Sequence, residues 1–444
     1  MKNNSFVIRG DICWSKNRTA LETAPNAFLV CTEGKSAGVF SRLPQHYEAL
    51  PLADYPGRLI IPGLVDLHLH APQFAFRGLG MDMELLDWLS THAFPEEAKY
   101  ASLAYARRAY GLFTEHLKRG PNTRMVVFAT LHVPATLLLM DMLEESGMVS
   151  MVGKVNMDRN SPDNLREESA AASLDATREW LGACAGYKRS RPILTPRFIP
   201  SCSDDLMRGL GALRRDQHLP VQSHISENRA EIEWVRRLCP ASGGYGAAYR
   251  DFDLFGSDSP DTAAPPTVMA HCVWPDEQEI ELMARRGVFA AHCPQSNTNL
   301  ASGIAPVRKL LDAGVAAGLG SDIAGGTNSS IFRAMADAVQ VSKLRRFLPG
   351  PSDEGGTEQA LTLEEAFYLG TAGGGAFFGK AGMGYCGSFD PGNDMDALVI
   401  DDTPLAAPFE LSIRDRLERL VYLSDSATIE AKYVQGNPVT LLYQ

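Results

Sequence analysis

The chain reads as an α/β protein, a (β/α)8 barrel of TIM type joined to a small β-sandwich domain that both chain ends supply. Three observations predict this. Apolar, β-rich segments alternate with segments of helical period through roughly 300 central residues, as eight strand and helix units require. Each end carries short strands bounded by Gly and Pro turns, and neither end is long enough for a core of its own. Residues of metal-ligand type close several central strands, and a barrel brings such ends to one rim.

Taken in order, the strands FVIRG from Phe6 and NAFLVCTEG from Asn26 place residues 1–62 in the small domain. The barrel is expected over residues 63–385. Its first strand, Val65–His70, follows Ile60-Ile61-Pro62-Gly63, and period-two alternation sets His68 and His70 on one face. Further strand candidates cover 124–132, 151–158, 192–200, 219–227, 267–273, 287–294 and 316–322. Leu103, Ala106, Tyr110, Phe113 and Leu117, spaced three and four apart, mark a helix between the first two. The stretch beginning at Gly243 reads as a long loop insertion between the fifth and sixth strands. Over residues 386–444, DALVIDD from Asp396, RLVYLSD from Arg419 and EAKYVQG from Glu430 read as strands that complete the small domain.

Composition limits the partners. With 45% hydrophobic and 21% charged residues the chain is ordinary globular protein, which excludes disordered and fibrous classes. A formal net charge of -11 argues against a nucleic-acid partner and suits a small neutral substrate. The opening residues lack an apolar signal segment, and no stretch approaches the ~18 apolar residues of a membrane span, so a cytoplasmic protein without membrane partners is expected. The eight cysteines form no C-x-x-C pair and read as reduced thiols, not as a thiolate zinc site.

The strand ends carry the chemistry. His68 and His70 lie on the first strand, Arg197 on the fourth, His224 and then Glu227 on the fifth, His271 on the sixth, His292 on the seventh and Asp322 on the eighth. Nitrogens from His68, His70 and His224 with an oxygen from Asp322 suit one Zn2+ per chain, with Fe2+ as the alternative, and leave a position for water. Such an ion lowers the pKa of a water toward about 7. Glu227, beyond its strand end, can act as general acid; Asp322 can accept a proton, and His271 can stabilise an oxyanion. Lys154 falls on the third strand while the fourth carries Arg197, which disfavours a lysine bridging two metals. His292 reads as a structural hydrogen-bonding residue, His132 as a residue near the rim, and Trp88 and Phe94 follow a helical rhythm that ordinarily means core.

These residues also carry a resemblance. PGLVDLHLH, SHISE, MAHC, AHCPQSN and GLGSDIAGG resemble the successive signatures of the amidohydrolase superfamily and its mononuclear deaminase branch. HAPQFAF, LLDWLSTHAFPEE, GKVNMD, LTPRFIPSCS and LVYLSDSATIEAKYVQG are similar to the guanine-deaminase family over nearly the full length. Gln73 together with Pro196-Arg197-Phe198 is the sharpest part of the likeness. By matching position, the resemblance implies hydrolytic deamination of guanine to xanthine and ammonia in purine catabolism. It implies zinc on His68, His70, His224 and Asp322, and substrate contacts from Gln73, Arg197 and Phe198 beside His70, His224, Glu227 and Asp322. It further implies Glu227 as proton shuttle, His271 beside the attacking water, the segment of Trp88 and Phe94 over the pocket, and a homodimer. Cys272-Val273-Trp274 and the GGTNSS stretch from Gly325 depart from the family pattern and leave substrate breadth open. A sibling enzyme acting on a triazine, pterin or modified purine is the alternative; a non-catalytic scaffold would have lost ligands that this chain retains.

Overall fold

The computed structural model describes residues 4–258, 264–347 and 358–441. Leu64–His70, Asn122–Phe128, Val149–Gly153 and Ser190–Pro192 pair in one parallel sheet. Val221–Ile225, Thr267–His271, Phe289–His292 and Ala316–Leu319 pair in a second. The two sheets meet at both edges. Val155–Asn156 and Thr195–Pro196 extend the third and fourth strands and pair with each other, and Leu194 bridges to Val221. At the other edge Asp322 N donates to His68 O at 2.8 Å and His70 N to Ile323 O at 2.9 Å, which returns the eighth strand to the first and closes the barrel.

Helices cover a parallel sheet on its outer face, so its strands are buried throughout. Every residue of the first two strands is buried. The fourth strand is shorter than its sequence suggests because Pro192 and Pro196 cannot donate to a ladder, and only two short pieces pair.

Both ends of the chain join in one seven-stranded sheet. Phe6–Asn17, Ala20–Thr32, Lys35–Phe40 and Leu52–Pro62 come from the N-terminal side, and Ala397–Asp401, Thr428–Val434 and Asn437–Pro438 from the C-terminal side. Alternation gives the sheet two buried faces: Ile8, Leu29, Ile60, Ala397 and Val399 share one cluster, while Leu59, Ile61, Leu398 and Ile400 join the large cluster of the barrel helices. Leu52–Pro62 runs into the first barrel strand through Gly63, where a Cβ would lie 2.3 Å from the Thr123 side chain.

Two segments differ from their sequence reading. RLVYLSD lies not in a strand but at the end of the helix Ile413–Leu423, which Ser412 and Asp415 open with a capping box and which buries Leu417, Leu420 and Val421 three and four apart. Within the expected loop insertion, Tyr245–Asp251 is a helix that buries Tyr245, Ala248 and Tyr249; positions 259–263 of that insertion lie outside the described residues.

Buried ions fasten the sheet to the barrel. Arg124 of the second barrel strand sends Nε to Asp396 Oδ2 at 2.6 Å and Nη2 to Asp394 Oδ2 at 2.7 Å. Its Nη1 donates to the carbonyls of Met383 and Gly384 at 2.9 and 3.0 Å. Lys432, from the strand Thr428–Val434, donates to Leu117 O at 3.1 Å and Gly120 O at 3.0 Å, at the C-terminal end of the helix Leu103–Arg119. Among the described residues no helix is long and apolar enough to cross a membrane.

Candidate active site

His68 and His70 project from one face of the first strand because alternate residues share a side. His224, His271 and Asp322 reach the same point from the ends of the fifth, sixth and eighth strands. His68 Nε2 lies 3.2 Å from Asp322 Oδ1 and His70 Nε2 lies 3.6 Å from it. His70 Nε2 and His224 Nε2 are 3.1 Å apart. His271 Nε2 stands 3.4 Å from Glu227 Oε2 and 3.9 Å from Asp322 Oδ2. Donor atoms of His68, His70 and Asp322, and likewise of His68, His224 and His271, lie within 4.8 Å of one another.

The four expected ligands therefore come together, and the cluster fits a metal ion. Among the described residues, buried His68 Nε2 has no aligned hydrogen-bond partner, although Asp322 Oδ1 lies 3.2 Å away. His224 Nδ1 lies 2.6 Å from Arg197 O, which as an acceptor fixes the N–H on Nδ1 and turns the bare Nε2 inward. Burial holds His68 below its usual pKa and His70 and His224 well below it, so all three are neutral donors. Three neutral imidazoles and one carboxylate suit a borderline divalent ion.

The carboxylates around it separate. Burial pushes Asp322 up, but His68 and His271 outweigh that and hold it down to about 2; burial prevails at Glu227 and raises it to about 7. Ser302 Oγ donates to Glu227 Oε1 at 3.1 Å. Burial would discharge His271, yet Glu227 and Asp322 outweigh it and raise its pKa, while Asn297 Oδ1 at 2.9 Å accepts the proton on Nδ1. The backbone is left-handed at Ser226 (φ 50°), His271 (φ 78°) and Asp322 (φ 45°), a conformation costly for residues with a Cβ and frequent at functional sites.

Gln73, Arg197 and Phe198 line the same pocket, which Leu85, Leu86, Trp88 and Leu89 cover from the segment between the first strand and its helix. Trp88 lies 2% exposed and donates Nε1 to Leu79 O, and Phe94 sits under the Arg197 guanidinium at 5.1 Å, so the segment belongs to the pocket as well as the core. Arg197 does not present an open fork: Nη1 and Nη2 both donate to Glu97, at 2.5 and 3.1 Å.

Glu97 escaped the sequence reading, where it is one of two adjacent glutamates after a proline. Asp66 escaped it too, although alternation puts it on the face of His68 and His70. It is fully buried, raised to about 7 by that burial, and accepts from Ser321 N at 3.0 Å and Ser321 Oγ at 2.5 Å, which ties the first strand to the eighth. His292 differs from expectation. It is buried, but neither ring nitrogen has a hydrogen-bond partner, and burial lowers its pKa to about 3. Lys154 pairs with Glu167 away from the cluster. His132 precedes the helix Val133–Ser146 and does not line the pocket.

The model of the amidohydrolase family matches residues 59–439. A guanine deaminase of Dictyostelium discoideum is 34% identical over 99% of both chains, and that of Homo sapiens is 35% identical over 85% of this chain and 82% of its own. The crystal structure of guanine deaminase from C. acetobutylicum with guanine bound in its active site superposes with a TM-score of 0.91 at 42% identity, covering 98% of this chain and all of the other.

Proposed function

The chain belongs to the amidohydrolase family, and from that premise we infer that it is a hydrolase that converts guanine and water to xanthine and ammonia. One observation carries the reading: a cluster of neutral imidazoles and a carboxylate opens into the pocket that Gln73 and Arg197 line. We assign the metal ligands as His68, His70, His224 and Asp322, and the ion as zinc. When bound, it supplies an activated water at neutral pH.

The remaining work falls to side chains. Gln73 and Arg197 hold the purine by its polar edge, with Phe198 beside the ring. Glu227, raised to about 7, exists in both protonation states near neutrality and delivers a proton to the ring nitrogen next to the carbon bearing the amino group. That carbon becomes electrophilic, water adds to it, and Asp322 takes up the proton the water releases. His271 Nε2, facing both carboxylates, steadies the incoming oxygen. The proton held by Asp322 passes to the amino nitrogen, the hydroxyl proton returns to Glu227 as the carbonyl forms, and ammonia leaves as the tetrahedral carbon collapses. A homodimer working in cytoplasmic purine breakdown belongs to the same proposal.

Ammonia release from guanine, adenine, cytosine and a diaminotriazine at equal concentration tests it. Guanine is expected to dominate, because adenine carries its amino group on a different ring carbon and offers no carbonyl to Arg197. Efficient turnover of adenine or the triazine leaves the metal chemistry standing and overturns the choice of substrate.

A further inference from the structure

We propose that Glu97 is a positioning residue that sets the donor and acceptor pattern with which Gln73 and Arg197 meet the purine; this rests on the guanine reading above. Glu97 ends the short helix Phe94–Glu97 and is 3% exposed. Its two oxygens accept from three donors, Arg197 Nη1 at 2.5 Å, Arg197 Nη2 at 3.1 Å and Gln73 Nε2 at 2.8 Å.

An ionised carboxylate only accepts, so the amino side of the Gln73 amide must face Glu97. Its carbonyl side then faces Ala324 N, which donates to Gln73 Oε1 at 3.1 Å. A flipped amide would set its N–H groups against a backbone N–H and its oxygen against a carboxylate. Glu97 thus leaves Gln73 with one N–H and one lone pair in known places. It acts on Arg197 in the same way: Glu97 occupies one N–H on each terminal nitrogen and Met157 Sδ lies 4.0 Å from Nη1, which leaves Nε–H and the outer N–H of Nη2 for a ligand.

The charge balance follows. Arg197 and Glu97 are both buried and cancel, so the purine edge meets an oriented array without net charge. That suits neutral guanine. The product, with a second ring carbonyl, is the stronger acid, and an uncompensated Arg197 would retain its anion. Glu97 therefore favours substrate over product in the pocket.

The test uses the metal-loaded, full-length enzyme with guanine as substrate and xanthine as inhibitor. Glu97→Gln keeps the shape and removes the charge; Glu97→Asp keeps the charge and shortens the reach. Glu97→Gln is expected to raise KM for guanine by roughly tenfold or more at unchanged metal content, since buried donors lose their acceptor. Inhibition by xanthine should tighten relative to wild type, most at alkaline pH, and Glu97→Asp should lie closer to wild type than Glu97→Gln. A purely space-filling role predicts the reverse order, and that order, or a wild-type KM in Glu97→Gln, overturns the proposal. If Glu97→Gln does not fold, Glu97→Asp decides alone: a KM for guanine within a few-fold of wild type, with metal retained, supports the role of the charge, and a KM raised by roughly tenfold or more, as loss of bulk alone predicts, refutes it. Wild-type enzyme that releases no ammonia from guanine overturns the functional reading itself, whereas an active wild type with indifferent Glu97 variants overturns only this inference.

Discussion

At the joint between barrel and small sheet, all five N–H groups of Arg124 find acceptors on Asp394, Asp396 and two carbonyls, whereas at the rim buried His68 Nε2 has only Asp322 Oδ1 near it, at 3.2 Å and without an aligned hydrogen bond. Both regions bury several ionisable groups, yet the joint holds Asp394 down whereas the rim splits its carboxylates. Burial pushes Asp394 upward, but Arg124 outweighs it and holds the group below its usual value. At the rim burial prevails at Glu227 and Asp66, which both rise to about 7, while His68 and His271 hold Asp322 down to about 2. Burial of charge alone therefore does not mark a site. Convergence of buried imidazoles and carboxylates on one pocket does, and here left-handed backbone at three strand ends accompanies it.

Glu227→Gln offers the largest way to sharpen this contrast. The amide is isosteric but transfers no proton, so turnover should fall by about 10³- to 10⁴-fold while bound metal stays constant. Steady-state ammonia release beside metal analysis reads both, and near-normal turnover would remove Glu227 from the chemistry. Arg124→Met probes the other side. Stranding two buried carboxylates should cost about 3–5 kcal/mol in denaturant unfolding, with kcat of the folded enzyme unchanged. A variant as stable as wild type would mean that the joint does not depend on its ions.

Arg197→Ala comes next. Guanine kcat/KM should fall by roughly 10²- to 10³-fold with metal retained, because polar groups built to be paired are left open. Indifference to the change would break the link between this arginine and the substrate. The smallest effect concerns Glu279, behind the rim, where burial raises the carboxyl from 4.5 to about 7 while Ser226 Oγ and Gly246 N donate to it. The folded state binds this proton more tightly, so its stabilisation is complete below the unfolded value of 4.5 and disappears as pH rises through about 7. Glu279→Gln cannot ionise and should gain on wild type by on the order of 2 kcal/mol between pH 4.5 and pH 8. A difference in melting temperature that does not change with pH would contradict this.

Much of the rim was legible because its signals are local. Alternation in one strand pairs His68 with His70, and His224 and Asp322 close apolar runs that only a barrel brings together. Asp66 obeys the same alternation and was readable on that ground. Glu97 was not, since its role arises only when the segment from Leu85 onward folds across the mouth and lays a short helix against Arg197. RLVYLSD misled in the opposite way: a brief apolar run has no clear period, and the deciding cue was the capping box upstream at Ser412 and Asp415. The fourth strand was over-long in the sequence reading because alternation says nothing of the N–H groups that its prolines lack.

The proposed chemistry needs a single metal site at the rim, and metal analysis of the purified wild-type enzyme beside His68→Ala and His224→Ala tests that most directly. One divalent ion per wild-type chain is predicted, lost in both variants together with ammonia release from guanine, while circular dichroism shows them folded. Two equivalents in the wild type, or full retention of metal in either folded variant, would contradict it.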